Sequence, residues 1–391
     1  MRLKPNKASV GKNHKIMIVV GEASGDAHAA RLVQALRSLA PNVEFEFFGA
    51  VGHDLREIGV EETFSADNLS IVGLPEIAHA LPMFWKTFQI LKQTAKQRKP
   101  DAVILVDFPE FNLKLAKSLK KKGLKIIYYI SPQLWAWREY RIKTIKNSVD
   151  LLLTILPFEK DWYFERGVEH VEFVGNPLTR EVHPNLSKAE FCAKHNLDAT
   201  KPIISLLAGS RSKEISRILP VLIETADLML QKNKDLQFVV PLAKNRKFAE
   251  VEKAGSAKIS NLVVVQNETF DALNASDVAA VTSGTATLET GIIGTPLAIV
   301  YKSSAFNYKL IRPLIRVEHF GLVNLIARER LAAELIQEEF TPETLSNELF
   351  RLLEPETNKK MRERLKEVTE TLGHGGASKR AAEFVLKFLQ K

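Results

Sequence analysis

Short runs of aliphatic and β-branched residues recur along this chain, and between them the apolar positions fall into helical spacing. Residues 15–20 (KIMIVV), 44–49 (EFEFFG), 101–107 (DAVILVD), 125–131 (KIIYYIS), 151–156 (LLLTIL) and 171–176 (VEFVGN) form a first set, with helical stretches such as 27–40 and 112–123 among them. Runs apolar at successive positions belong to strands covered on both faces, and helices between such strands are the crossovers of a parallel sheet. The pattern restarts at 202–210 (PIISLLAGS) and continues at 236–243, 261–266, 277–284 and 295–302. The polar, proline-punctuated stretch 175–202 reads as a linker between the two sets. The expected fold is α/β, two Rossmann-like domains facing a central cleft. They span 1–180 and 181–363, with a helix in 364–391 packing back on the first and Ser378 as its N-cap.

A length of 391 residues exceeds what one core usually covers, which agrees with two domains. The single cysteine, Cys192, excludes an internal disulfide and a cysteine-built zinc site, and fits a reducing compartment. The N-terminal stretch is basic, but the apolar run behind it is too short for a secretory signal, so a cytoplasmic location is expected. No stretch reaches the uncharged apolar length of a membrane span. A formal charge of +9 favours anionic partners without choosing among them. There is no G-x-G-x-x-G, no Walker G-K-[ST], no histidine pair at ligand spacing and no D-x-D. Neither a cofactor nor a metal is therefore expected. The lysine-rich stretches near 117–125 and 143–146 read as solvated helix faces rather than a nucleic-acid surface.

Two turns in the second half suit phosphate. In LLAGSRSKEI, Gly209, Ser210 and Arg211 stand between a strand and a helix, where amides and a guanidinium can converge on a diphosphate. In TSGTATLETG, Ser283, Gly284 and Thr285 open another helix, and Glu289 lies one turn in, placed to accept from a ribose diol. Ordinary capped βα connections are the alternative for either turn.

The strings GEASGD, VDFPEFN, SPQLWAWRE, VGNPL, LAGSR, TSGTATLE and VNLIARERLAAELIQ run in order from residue 21 to about 337. Together they resemble the lipid A disaccharide synthase family of GT-B glycosyltransferases. The resemblance implies inverting, metal-free transfer of 2,3-diacylglucosamine from UDP-2,3-diacylglucosamine to 2,3-diacylglucosamine 1-phosphate, in a β-1,6 linkage with release of UDP. A UDP-sugar 2-epimerase on the same fold, or a non-catalytic UDP-sugar-binding regulator at the membrane, are the alternatives.

Under this reading Asp107, at a strand's carboxyl end, is the base for the acceptor hydroxyl, although it could merely cap the next helix. Arg211 offsets charge on the leaving UDP, and Glu22 joins them in the catalytic set. Ser24 and Asp26 beside Glu22, together with Trp135 and Arg138, are assigned to the acceptor, with helix capping the alternative for Asp26 and core packing for Trp135 or Trp137. Asn324 corresponds to a family position near the nucleotide. Glu334 and Gln337 are read as one helical turn apart, and Glu110 is left without a role. In 69–92, Ile77, Leu81, Phe84, Phe88 and Leu91 follow one helical face, while Leu74, Met83, Trp85 and Ile90 add apolar surface beyond it. That excess suits peripheral contact with an anionic inner-membrane surface, though a doubly buried helix explains the same letters. Self-association as a homodimer is carried as an expectation.

Overall fold

The computed structural model describes residues 13–68, 77–243, 246–256, 259–304, 308, 312 and 317–390; the basic residues 1–12 and Leu74 lie outside them. The chain forms two compact units, one running to Pro177 and resuming at Gly376, the other spanning Leu178 to Gly375.

The first unit is built on seven parallel strands: β1 (His14–Val19), β2 (Phe45–Val51), β3 (Glu61–Ser65), β4 (Ala102–Val106), β5 (Ile126–Tyr129), β6 (Leu151–Thr154) and β7 (Val171–Phe173). Their order is β3-β2-β1-β4-β5-β6-β7, so the winding reverses between β1 and β4. Successive residues of β1 serve opposite faces, as the two-residue period of a strand requires. Ile16 and Ile18 join a cluster with Leu32, Val33 and Leu36 of the helix Ala23–Leu39. Met17 and Val19 join another with Leu115, Ala116 and Leu119 of the helix Pro109–Lys120.

The helix Ala377–Leu389 completes the first cluster with Ala381, Ala382, Val385 and Leu389. Its return comes later than expected. The helix Pro355–Glu370 stays with the second unit, where Arg362 donates to the Gly294 carbonyl at 2.8 Å, and the crossing falls at Gly375–Gly376. The N-cap is Gly376 at φ +72°, not Ser378, which lies inside the helix.

The second unit contains β8 (Ile203–Leu207), β9 (Gln237–Leu242), β10 (Leu262–Gln266), β11 (Val278–Thr282), β12 (Leu297–Tyr301) and β13 (Glu334–Ile336), all parallel. The order β10-β9-β8-β11-β12-β13 again reverses beside the unit's first strand, between β8 and β11. Two strands depart from the sequence reading, and both are edge strands. β3 carries four polar residues in five, and β13 is only three residues long, so neither shows the apolar run of a central strand. Residues 334–336 are thus strand rather than helix, and Gln337 follows at φ +58° with its side chain bonded to the Ser303 backbone.

The helix Ile77–Arg98 contains Pro82 and divides its apolar residues differently from the single face expected. Leu91 is buried, and Phe84 and Phe88 pack on Phe111 at ring separations of 6.3 and 5.9 Å. Leu81 is exposed, as is Trp85. The Ile77 side chain lies outside the described residues.

Candidate active site

In an open parallel sheet the loops flanking the winding reversal leave a crevice at the strands' carboxyl ends. In the first unit those loops follow β1 and β4. Glu22 occupies the N-cap position of Ala23–Leu39 without a side-chain capping bond, so its exposed carboxylate is not spent on the helix. Across from it, Asp107 and Phe108 both adopt left-handed backbone, at φ 47° and 49°. Two such residues in succession, neither of them glycine, are sterically costly and persist only where surroundings hold them. Here the Asp107 carbonyl accepts from Asn112 Nδ2 at 2.8 Å and Tyr128 Oη at 2.6 Å. The Phe108 ring lies over Gly21, where a Cβ would come within 2.3 Å of it, and packs on Phe111 and Phe84.

This clamp leaves the Asp107 carboxyl largely out of water. Burial, and then the like charge of Glu22, push its pKa up to about 6 against a smaller pull from the Phe108 amide. A carboxyl in that range is a stronger proton acceptor than an exposed aspartate and still ionised at neutral pH.

Two of the residues assigned to the acceptor are corrected by their partners. Asp26 is 3% exposed, and its oxygens accept from the amides of Gly52 at 2.7 Å and Asp54 at 2.8 Å. Its bonds are spent on the start of the helix His53–Glu57 rather than on its own helix. Trp135 is buried, and its Nε1 donates to Glu159 at 3.1 Å. Burial raises Glu159 to about 7 despite that bond and those from the Ile155 and Leu156 amides. Ser24 is exposed on the first turn, Trp137 is exposed, and the Arg138 guanidinium lies 3.9 Å over the Trp137 ring. Sequence reasoning missed Asn112 and Tyr128, whose work is to hold the Asp107 backbone; an asparagine one turn into the helix after the strand was the available signal.

In the second unit the flanking loops follow β8 and β11. Gly209 sits at φ +95°, and a Cβ there would meet Glu214 at 2.6 Å, so the turn requires glycine. Ser210 is exposed, and Arg211 stands at the N-cap of Ser212–Lys232 with 83% of its side chain accessible, tethered to Glu214 at 3.1 Å. After β11, Ser283 donates its hydroxyl to the Phe320 carbonyl at 2.8 Å. Gly284 at φ +143° and Thr285 then lead exposed into the helix Thr285–Ile293. First-turn amides of a helix lack intrahelical partners and carry its positive pole. Glu289 follows, half-buried, its pKa raised by burial and by Glu181.

Tyr301, at the end of β12, was missed by sequence reasoning. Burial raises its phenol, with Glu214, Arg211 and Arg217 acting on it in turn, which places it beside the Arg211 turn.

Asn324 is also corrected. It is fully buried, donates to the Ala332 carbonyl at 2.8 Å and Glu334 at 2.9 Å, and accepts from the Ala332 amide. Glu334 in turn accepts from the Phe320 and Gly321 amides at 2.9 Å, so this pair ties β13 to the segment against which Ser283 rests. Among the described residues, His53, Asp54 and Glu57 converge as potential metal ligands; they are solvent-exposed and His53 already pairs with Glu57 at 3.3 Å.

Two parallel α/β units, each with polar loops at its winding reversal, define the GT-B class of fold. Similar solved structures, all at low identity and so informative on fold alone, include a putative UDP-N-acetylglucosamine 2-epimerase from Listeria monocytogenes, with a TM-score of 0.62, 14% identity and 97% of each chain covered. They also include the S. aureus MnaA–UDP co-structure, with a TM-score of 0.62, 15% identity and coverage of 96% and 97%, and the glycotransferase of kitacinnamycin, with a TM-score of 0.62, 14% identity and coverage of 96% and 99%. The model of the lipid-A-disaccharide synthetase family matches residues 16–388. The lipid-A-disaccharide synthase of Trichlorobacter lovleyi is 41% identical over 98% of this chain and 100% of its own, and that of Myxococcus xanthus 41% identical over 96% and 97%. The chain belongs to the lipid-A-disaccharide synthase family.

Asp107 makes a stability prediction whose sign follows from linkage. Its folded pKa lies above the unfolded value of 3.8, so folding favours the protonated form. The cost is absent below about pH 4, grows between about 4 and 6, and is complete above 6, at up to about 3 kcal/mol. Asp107→Asn, which mimics the neutral acid, is expected to raise the urea midpoint at pH 8 and leave it unchanged at pH 3.5. Equal effects at both pH values would remove the buried charge as the cause.

Proposed function

We propose that this chain transfers 2,3-diacylglucosamine from UDP-2,3-diacylglucosamine to the 6-hydroxyl of 2,3-diacylglucosamine 1-phosphate, with inversion and release of UDP. The observation that carries this reading is the Asp107 carboxyl, clamped at the end of β4 and raised to about 6, in a chain related over nearly its full length to lipid-A-disaccharide synthases. Asp107 takes the acceptor's hydroxyl proton as that oxygen bonds to the anomeric carbon. The bond to the UDP oxygen breaks on the opposite face, and its electron pair leaves with the diphosphate. Arg211, the Gly209–Ser210 turn and the first-turn amides at Gly284–Thr285 hold the diphosphate and offset the charge gathering on it. Glu289 receives the ribose hydroxyls. Glu22 raises the base's proton affinity and accepts from the acceptor sugar, beside Ser24.

No helix among the described residues is long and apolar enough to cross a membrane. Contact with the inner face of the cytoplasmic membrane is proposed to be peripheral, through Leu81 and Trp85, which are 59% and 67% exposed on a helix whose other aromatic residues pack inward.

With both lipid substrates, purified protein is expected to yield a disaccharide by mass and to release UDP only when acceptor is present. Release from donor alone would favour the epimerase reading. Asp107→Asn should lower turnover by at least about a thousandfold while UDP affinity stays near normal, and Arg211→Ala should weaken both. An intact UDP affinity in Arg211→Ala would remove the guanidinium from the diphosphate site. The rate should fall about tenfold per pH unit below about 6. Glu22→Gln, which removes the like charge, should move that limb toward lower pH; an unmoved limb would leave Glu22 without influence on the base. Leu81→Ser with Trp85→Ser should reduce co-sedimentation with phosphatidylglycerol-containing vesicles without altering UDP binding, and undiminished sedimentation would dismiss this surface.

A further inference from the structure

One feature beside the base has no part in the mechanism above. Glu110, the second residue of the helix that follows Asp107, is held by two guanidiniums. Arg141 grips it as a fork, Nη1 to Oε1 at 2.9 Å and Nη2 to Oε2 at 2.7 Å, and Arg138 Nη1 shares Oε1. The arginines are the fixed members. The Arg141 side chain is 16% exposed, and Arg138 is set by a left-handed backbone at φ 57° and by stacking over Trp137. The Glu110 side chain is 54% exposed.

Burial alone would raise the Glu110 carboxyl, but the Arg141 hydrogen bond and the charges of Arg141, Arg138 and Lys114 leave it below its ordinary value. It therefore stays ionised. The set lies close to the base: Asp107, Arg141 and Glu110 all act on the buried Tyr128 phenol, which donates to the Asp107 carbonyl.

The charges do not balance. Two guanidiniums offer five N–H donors each to a single carboxylate, leaving a net positive charge and unused donors. A phosphomonoester carries a charge of about −1.5 to −2 and three terminal oxygens, and matches the pair better in both respects.

We propose that Arg138 and Arg141 together form the subsite for the acceptor's anomeric phosphate, and that Glu110 is its resident surrogate, keeping the guanidiniums aligned until the phosphate displaces it. The proposal rests on the acceptor named above and extends it in two ways. It adds Arg141 to the site, and it makes Glu110 a competitor that weakens binding of the very group the site selects.

The competition gives a test that a purely structural tether fails. Steady-state kinetics with the phosphorylated acceptor and its dephosphorylated analogue, at saturating donor, read the subsite through acceptor KM. Arg141→Ala is expected to raise KM for the phosphorylated acceptor roughly ten- to hundredfold and to change that for the analogue little. Arg138→Ala should act in the same direction. Glu110→Gln should lower KM for the phosphorylated acceptor severalfold and leave donor KM alone. Were Glu110 only a tether, Glu110→Gln would raise acceptor KM as Arg141→Ala does, and that result overturns the proposal, as does an equal loss with both acceptors. Calorimetric titration of glucosamine 1-phosphate reads the same subsite without turnover. Tighter binding to Glu110→Gln and weaker binding to Arg141→Ala support it even if wild-type protein makes no disaccharide, whereas binding unchanged in both variants overturns it.

Discussion

Taking an ionisable carboxyl largely out of water at the end of a parallel strand is the constraint around which the first unit is organised. An isolated charge there is expensive, and the chain accepts the expense by fixing the backbone around Asp107 while the Phe108 amide offsets only part of the burial of its carboxyl. The backbone is forced left-handed for two residues, Asn112 and Tyr128 hold the carbonyl, and Phe108 is pressed over Gly21. Each of these contacts makes the next one necessary. Without a glycine at 21 the ring has no seat, and without the ring the left-handed turn has little to maintain it.

The second unit uses the same topological device with opposite chemistry. Its reversal between β8 and β11 presents turns that only glycine accommodates, helix ends and an exposed guanidinium, where the first unit presents acids. The support behind it is a buried carboxylate of a different kind. Glu334 accepts from two backbone amides and the Asn324 side chain, so it anchors an edge strand. Asp107 and Glu334 are both carboxylates beside parallel strands. Partner count separates them: several donors hold Glu334, while burial dominates at Asp107.

The sheets were legible because their central strands are continuous apolar runs, and the runs at 101–107 and 278–282 could hardly be anything else. Two of the four edge strands were not, since β3 is mostly polar and β13 only three residues long, whereas the edge strands β7 and β10 kept enough apolar residues to be read. Within the site, glycine turns and strand-end acids announced themselves. Asp26, Asn324 and Trp135 misled for a shared reason: a polar group in a motif reads the same whether it meets a ligand or a distant backbone amide. The partners of Asp26 lie 26 and 28 residues away, and no local pattern encodes them. Glu110 and Arg141 were invisible as a pair because 31 residues separate them.

The return of the helix Ala377–Leu389 to the first unit bears on how the protein comes into being. Leu32, Val33 and Leu36 face a gap until Ala381, Ala382, Val385 and Leu389 arrive, and the whole second unit is translated in between. The second unit is contiguous and can close as it emerges, whereas the earlier-made half keeps a greasy flank open throughout that interval. The part of the chain synthesised first is therefore the part finished last, and the burden on chaperones falls on the half that holds Asp107.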